Sequence, residues 1–224
     1  MSTLAERLLF LNCAYFNIGP ELLYNLEDKE TSKKLIDKCI NKAYQDLKRK
    51  VPYRYSTGFL KTLDEDKKKE FGIKKKSFID EIHSTIYSKI TVNNDVIEIT
   101  EVPSKIIEEV GLIGKKYCDI FRDDEKFTVG LAQKWVNMTL KYLWILGVLD
   151  EKCEDELEIP IDAYMLEAIA IEGIDVGDIK WSKWDDLEQY KSIQNTLKSK
   201  AKENAYTRIS WENEKWVNIA EKKK

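Results

Sequence analysis

TSKKLIDKCINKAYQDLKRK, residues 31–50, sets Leu35, Ile36, Cys39, Ile40, Ala43, Tyr44 and Leu47 among charged neighbours. The apolar positions recur at i, i+1, i+4, i+5, i+8, i+9 and i+12, one stripe down an amphipathic helix. The same period governs most of the chain on either side. LAERLLFLNCAYF (4–16) predicts a more buried helix that ends near Gly19-Pro20. STGFLKTLDEDKKKEF (56–71) and KSFIDEIHSTIY (76–87) predict two further short helices. Beyond Pro103 the spacing predicts a helix from Ser104 through KIIEEVGLIGKKYCDIF, then helices over 129–147, about 162–172, 183–204 and 210–222. Ser182 and Ser210 stand where N-caps of the last two would fall.

One segment departs from that period. KITVNNDVIEIT (89–100) has β-branched residues on both sides of Asn93-Asn94, a pair that tolerates left-handed backbone, and it predicts a short hairpin. The expected fold class is therefore mainly α: a compact multi-helix domain with a small β-hairpin near 89–100. Residues 1–224 read as a single helical domain; a division into two lobes would fall between about 1–102 and 103–224.

Composition fits that reading. The chain has 224 residues, 43% hydrophobic and 34% charged, enough to bury a real core and stay dissolved. Aromatic residues at 11% argue against disorder, and four prolines with nine glycines leave little material for linkers. The net charge of −3 gives no global footprint of a nucleic-acid binder. The charge is unevenly spread, however. Residues 29–76 hold 16 Lys and Arg against 7 Asp and Glu, whereas 149–188 hold 14 Asp and Glu against 3 Lys. Each block is either a solvated set of helix faces or a surface for a protein partner.

Several chemistries are disfavoured. The four cysteines (13, 39, 118 and 153) are too far apart for a zinc knuckle or a redox CxxC. Cys13 and Cys39 fall in apolar registers and read as core residues. With His83 as the single histidine, neither a Cys/His metal site nor a Ser–His–Asp triad is expected. No Walker or GxGxxG loop occurs, so no cofactor is expected. No signal peptide and no apolar run of about 18 residues appear, which predicts a cytoplasmic protein without a membrane span.

The candidate chemistry lies in GLAQKWVNMTLKYL (130–143) and IPIDAYMLEAI (159–169). On a helical wheel Gly130, Gln133, Lys134, Asn137, Lys141 and Trp144 share an arc about 100° wide, while the rest of that helix is apolar. Two readings are open. The arc is a solvent stripe whose lysine stems cover apolar surface, or it faces a groove. Asp162, behind Pro160, likewise reads as an N-cap for Tyr164 or Met165, with a second oxygen free to face a cleft.

These residues resemble the helix-hairpin-helix DNA glycosylases, and most of all their archaeal 8-oxoguanine branch, which shares a Gln-Lys pair and a longer spacing. That family carries Gly-x-Gly-x-Lys leading into a helix, then an aspartate heading a later helix. Gly130-Leu131-Ala132-Gln133-Lys134 matches the first glycine and the lysine, and Pro160-Ile161-Asp162 resembles the aspartate motif. Ala132 replaces the second glycine, Val129 stands where the family often has proline, and an acidic insert, LDEKCEDELE, lengthens the spacing. The likeness covers about 40 residues. It implies that Lys134 attacks C1′ of a damaged nucleotide in DNA, that Asp162 activates it or steadies the sugar cation, and that hairpin amides hold a phosphate. A lysine attacks only as the free amine, which demands burial or a neighbouring cation; Lys141, two turns along, would be that neighbour. A flipped base needs aromatic walls, for which Trp144 and Trp181 are the candidates, with Gly130, Gln133, Asn137 and Lys141 as further DNA or base contacts. The competing expectation is a non-enzymatic helical module that binds protein through the acidic 149–188 or basic 29–76 surface.

Overall fold

The structure is a computed structural model that describes residues 4–55, 60, 62–93, 95–178 and 180–222, without the side chains of 4–7 and 10. Among these residues ten α-helices and one two-stranded sheet follow in the order α1 (Leu4–Phe16), α2 (Glu21–Tyr24), α3 (Lys29–Leu47), α4 (Glu65–Ser88), β1 (Ile90–Asn93), β2 (Val96–Ile99), α5 (Pro103–Lys116), α6 (Val129–Ile145), α7 (Glu151–Glu154), α8 (Ala163–Ile171), α9 (Leu187–Glu203) and α10 (Arg208–Lys222). Short 3-10 turns occupy Cys118–Ile120 and Trp181–Lys183. The fold is mainly α with one small hairpin. Among the described residues no helix is long and apolar enough to cross a membrane.

Helix α6 is the hub. The α3 stripe packs along it, and every apolar position picked out in 31–50 is buried. Trp135 fixes the crossing: its ring stacks on Tyr44 at 4.7 Å and its indole N–H donates to the Ile40 carbonyl at 3.1 Å. Helix α5 covers another side of α6. Thr128 caps α6, its hydroxyl accepting from the Leu131 amide at 3.2 Å. The hairpin is antiparallel, with Ile90 opposite Ile99 and Val92 opposite Ile97. It is stitched to the chain after α6 by Ile97 N–H to the Val148 carbonyl and Asp150 N–H to the Ile97 carbonyl, both 2.8 Å. Asp95 takes the left-handed turn conformation, φ 65°; Asn94 lies outside the described residues. A continuous core cluster runs from Cys13 to Ile219.

Four expectations are corrected. Helix α1 is not the more buried one: Leu8, Leu11 and Tyr15 are exposed, and Cys13 and Phe16 carry its packing. The pair expected over 56–71 and 76–87 is one continuous helix, α4, because Phe71, Phe78, Ile82 and Ile86 extend a single buried stripe through the lysine runs; residues 56–59 and 61 lie outside the described residues. Helix α5 ends at Lys116, where the chain tightens into a 3-10 turn. Neither serine caps its helix. Asp186 caps α9 through the Gln189 amide at 2.9 Å, and the Thr207 hydroxyl accepts from the Ser210 amide at 3.3 Å. Ser182 instead sits within the 3-10 turn.

Candidate active site

The polar arc of α6 does not face solvent. Gln133 and Asn137 are fully buried, and Lys134 and Lys141 nearly so. The reason is the buried segment Leu157–Ile161, which lies against α6 and belongs to no helix or strand among the described residues. Its polar groups need partners, and side-chain amides supply them. Gln133 accepts from the Ile161 N–H at 3.0 Å and donates to the Ile161 carbonyl at 2.7 Å. Gln194 of α9 does the same for Ile159, at 3.1 and 2.8 Å, and Asn137 adds a bond to the Ile159 carbonyl at 3.0 Å. Tyr190, fully buried, receives the Asn137 amide at 2.7 Å and donates to Glu158 at 2.7 Å. Gln133 and Asn137, expected as base contacts, act here as a surrogate strand that fixes where Asp162 emerges.

Asp162 performs both of its expected jobs. Oδ1 accepts from the Tyr164 and Met165 amides at 3.0 and 3.1 Å, capping α8, and Oδ2 accepts from Lys134 Nζ at 2.8 Å. Burial pushes this carboxyl up. The Lys134 charge and hydrogen bond, the Met165 amide and the Trp216 side chain outweigh it and hold the carboxyl below its usual value. Lys134 and Asp162, whose proximity the sequence left open, thus meet across 28 residues.

A second pair lies on the same helix. Lys141 Nζ is hydrogen-bonded to Glu212 of α10, whose side chain is 1% exposed. Burial drives the Glu212 carboxyl upward; Lys141 and Lys134 pull against the shift, Asp162 adds to it, and the net displacement is upward. Lys141 therefore has its own counter-ion, which the sequence reading did not foresee.

Both pairs line one cavity of about 970 Å³. Tyr15, Phe16, Tyr142, Tyr164, Trp181 and Trp216 supply its aromatic lining, and Arg49 and Lys50 also border it. Tyr142 donates to Asp46, and burial holds its hydroxyl well above the usual phenol range. Of the expected walls, Trp181 is present. Trp144 is half-buried and does not line the cavity. Trp216, Glu212 and Tyr142 are among the lining groups the sequence reading missed.

Gly130 serves packing. A Cβ there would stand 1.6 Å from the Trp181 carbonyl oxygen, so only glycine lets the 181–184 segment lie on α6. That segment also takes the amides that head the helix: Gly130 N–H donates to the Trp184 carbonyl at 2.8 Å, and Val129 N–H to Asp185 at 3.1 Å. The amides expected to hold a phosphate are occupied from within the chain. His83 lies 3.3 Å from Asp37 on α3, away from this cavity's lining. No family model, no curated protein and no solved structure matches the chain.

Proposed function

We propose that the chain excises bases from DNA, with Lys134 as the nucleophile and Asp162 as its partner. One observation carries the reading: Lys134 Nζ sits 2.8 Å from Asp162 Oδ2 at the wall of an aromatic-lined cavity of about 970 Å³. A nucleobase presents flat faces and ring edges, and such a hollow offers it stacking surfaces beside polar groups.

The chemistry balances with residues of this chain. In the resting pair the Lys134 ammonium donates to Asp162. As a nucleotide displaces water, one proton leaves along that bond and the free amine attacks C1′ of the sugar. A C–N bond forms to Lys134, and the C1′–N bond to the base breaks. The base leaves with that electron pair and takes a proton from Glu212, whose raised carboxyl holds one more readily than an exposed glutamate. Asp162 gives its proton to O4′ as the ring opens and so stands as the anion beside the positive adduct, while the Glu212 carboxylate takes back a proton from the secondary amine. Opening of the C1′–O4′ bond gives a protonated imine. Loss of a C2′ proton to Asp162 with departure of the 3′ phosphate would be the lyase step, and water then frees Lys134.

Borohydride reduces such an imine to a stable amine and cross-links protein to DNA. Duplexes carrying a panel of damaged bases, together with an abasic control, test the proposal. The expected result is an adduct that Lys134→Ala abolishes while that variant still binds DNA. An intact protein that releases no base and traps no DNA across the panel overturns it.

A further inference from the structure

A second concavity, of about 1090 Å³, lies beside the first and shares Arg49 with it. Its cations come from four parts of the chain: Lys48 and Arg49 just past the end of α3, Arg54, Lys75 from α4, and Arg122 ahead of α6. The carboxylate among its lining residues is Asp123, which pairs with Arg54 at 2.5 Å. Arg122 reaches Glu125 at 3.5 Å. Among the described residues no ion pair engages Lys48, Arg49 or Lys75, whereas most lysines elsewhere on this acidic chain have a carboxylate partner.

The arrangement is built rather than accidental. Segments 52–54 and 120–122 are bound to each other by Arg54 N–H to the Ile120 carbonyl at 2.8 Å and Arg122 N–H to the Pro52 carbonyl at 2.9 Å. Both arginines therefore project from fixed backbone. Lys75 is half-buried, with Nζ 4.1 Å from the centre of the Tyr53 ring. Burial and the charge of Lys48 both press its ammonium toward the neutral form, so positive charge is crowded at these two lysines, which no ion pair among the described residues engages. Basic residues at a helix C-terminus are ordinarily explained by the helix dipole. That accounts for Lys48 and Arg49, but not for Lys75 and Arg122, which arrive from other elements to face the same hollow.

We infer that this cleft binds the phosphodiester backbone of a nucleic-acid strand. Spaced cations interleaved with Tyr53 and Tyr55 along the lining match the alternation of phosphate and base along a strand, whereas an acidic peptide would need the cations alone. The amides at the head of α6 are already taken, so a bound strand must find its phosphate contacts elsewhere. Arg49 joins the cleft to the catalytic cavity, and a strand lying here passes its mouth. That the strand delivers a nucleotide to Lys134 rests on the base-excision reading; the polyanion site itself does not.

Labelled single-stranded DNA, titrated over a range of salt concentrations, provides the test. Removing two phosphate contacts with Lys75→Ala/Arg122→Ala lowers the slope of log K against log salt by about 1.4, at about 0.7 per contact. Lys191→Ala/Lys198→Ala on α9 leaves the slope unchanged, and urea unfolding confirms that each variant is intact. An unaltered slope in the first variant overturns the inference. Polyglutamate of matched charge binding more tightly than the oligonucleotide overturns it too, in favour of an acidic protein partner. If the wild-type protein traps no DNA yet the first variant loses its slope, base excision fails and the cleft stands. If the wild-type protein traps DNA and that variant binds as wild type, the cleft fails and base excision stands.

Discussion

Two lysines on one face of α6 each meet a carboxylate in the same cavity, yet the two carboxyls move in opposite directions. Asp162 is held below its usual value and Glu212 is driven above it. Burial separates them: the Asp162 side chain is 19% exposed and the Glu212 side chain 1%. So does the number of donors. Asp162 is also the cap of α8 and collects two backbone amides, whereas among the described residues Lys141 is the side chain that bonds to Glu212. A lysine opposite an acid therefore does not define a site by itself. The burial and donors around the acid decide which way its carboxyl is displaced, and this cavity holds one of each.

The largest expected effect breaks that contrast from the lysine side. Lys141→Met leaves Glu212 buried with no cation and should cost about 3–5 kcal/mol at neutral pH. Because the Glu212 carboxyl is raised in the fold, its protonated form favours folding. That contribution is complete below the unfolded value of 4.5 and is lost as pH rises through the folded value. The deficit of Lys141→Met should accordingly shrink as pH falls toward 4.5. Lys134→Met should cost less, about 2 kcal/mol, since Asp162 keeps its amides. The Asp162 carboxyl is lowered, so its contribution holds above 3.8 and fades only as pH falls through its folded value. Urea unfolding at neutral pH and near pH 4.5 measures both. Equal deficits at both pH values would erase the distinction. Replacing the whole pair, Lys141→Met with Glu212→Leu, should restore stability to within about 1 kcal/mol of wild type.

The next effect concerns what holds the first pair in place. Gln133→Leu orphans the N–H and the carbonyl of Ile161 and should cost on the order of 2 kcal/mol. It should also lower borohydride trapping, because Asp162 follows Ile161 directly and loses its register against Lys134. Gln194→Leu removes the equivalent bonds to Ile159, three residues before Asp162. It should cost about as much in stability while affecting trapping less. If both leucine variants lower trapping alike, the effect is a general loosening and the positioning role of Gln133 fails.

These two regions were unequally legible. The α6 period and the helix-capping position of Asp162 are local, and a family resemblance singled out Lys134 and Asp162 from them without saying that the two would meet. The role of Gln133 is not local: its partner backbone is 28 residues away, and nothing near Gln133 says that an unpaired segment will lie there. The stripe was therefore read as either solvent-facing or groove-facing, when Gln133 and Asn137 face main chain and Lys134 and Lys141 face the cavity. Glu212 lies 71 residues from Lys141. A signal for it does exist, since Arg208, Glu212 and Ile219 share the buried face of α10 and an acid in that register calls for a partner. The caps at Asp186 and Thr207 were missed because a serine stood in a plausible place nearby. The α4 boundary was missed because lysine runs were read as breaks between helices.

The smallest effects distinguish the tryptophans. Both Trp144 and Trp216 follow a lysine on a helix by a few residues, and on a wheel Trp144 shares the Lys134 arc. Only Trp216 lines the cavity, where it packs edge-on against Tyr164 at 5.5 Å and reaches Asp162. If a base stacks in the cavity, Trp216→Leu should lower its excision about tenfold, the equivalent of one stacking contact. Trp144→Phe should leave the rate within about twofold, since an aromatic at the margin of the core is exchanged for another of similar shape. The reverse ranking would put the base toward Gln133 and Asn137, on the part of the arc that the 159–161 segment already covers. Since Gln133 and Asn137 are fully engaged there, that outcome would require the segment to leave, and Asp162 to leave with it.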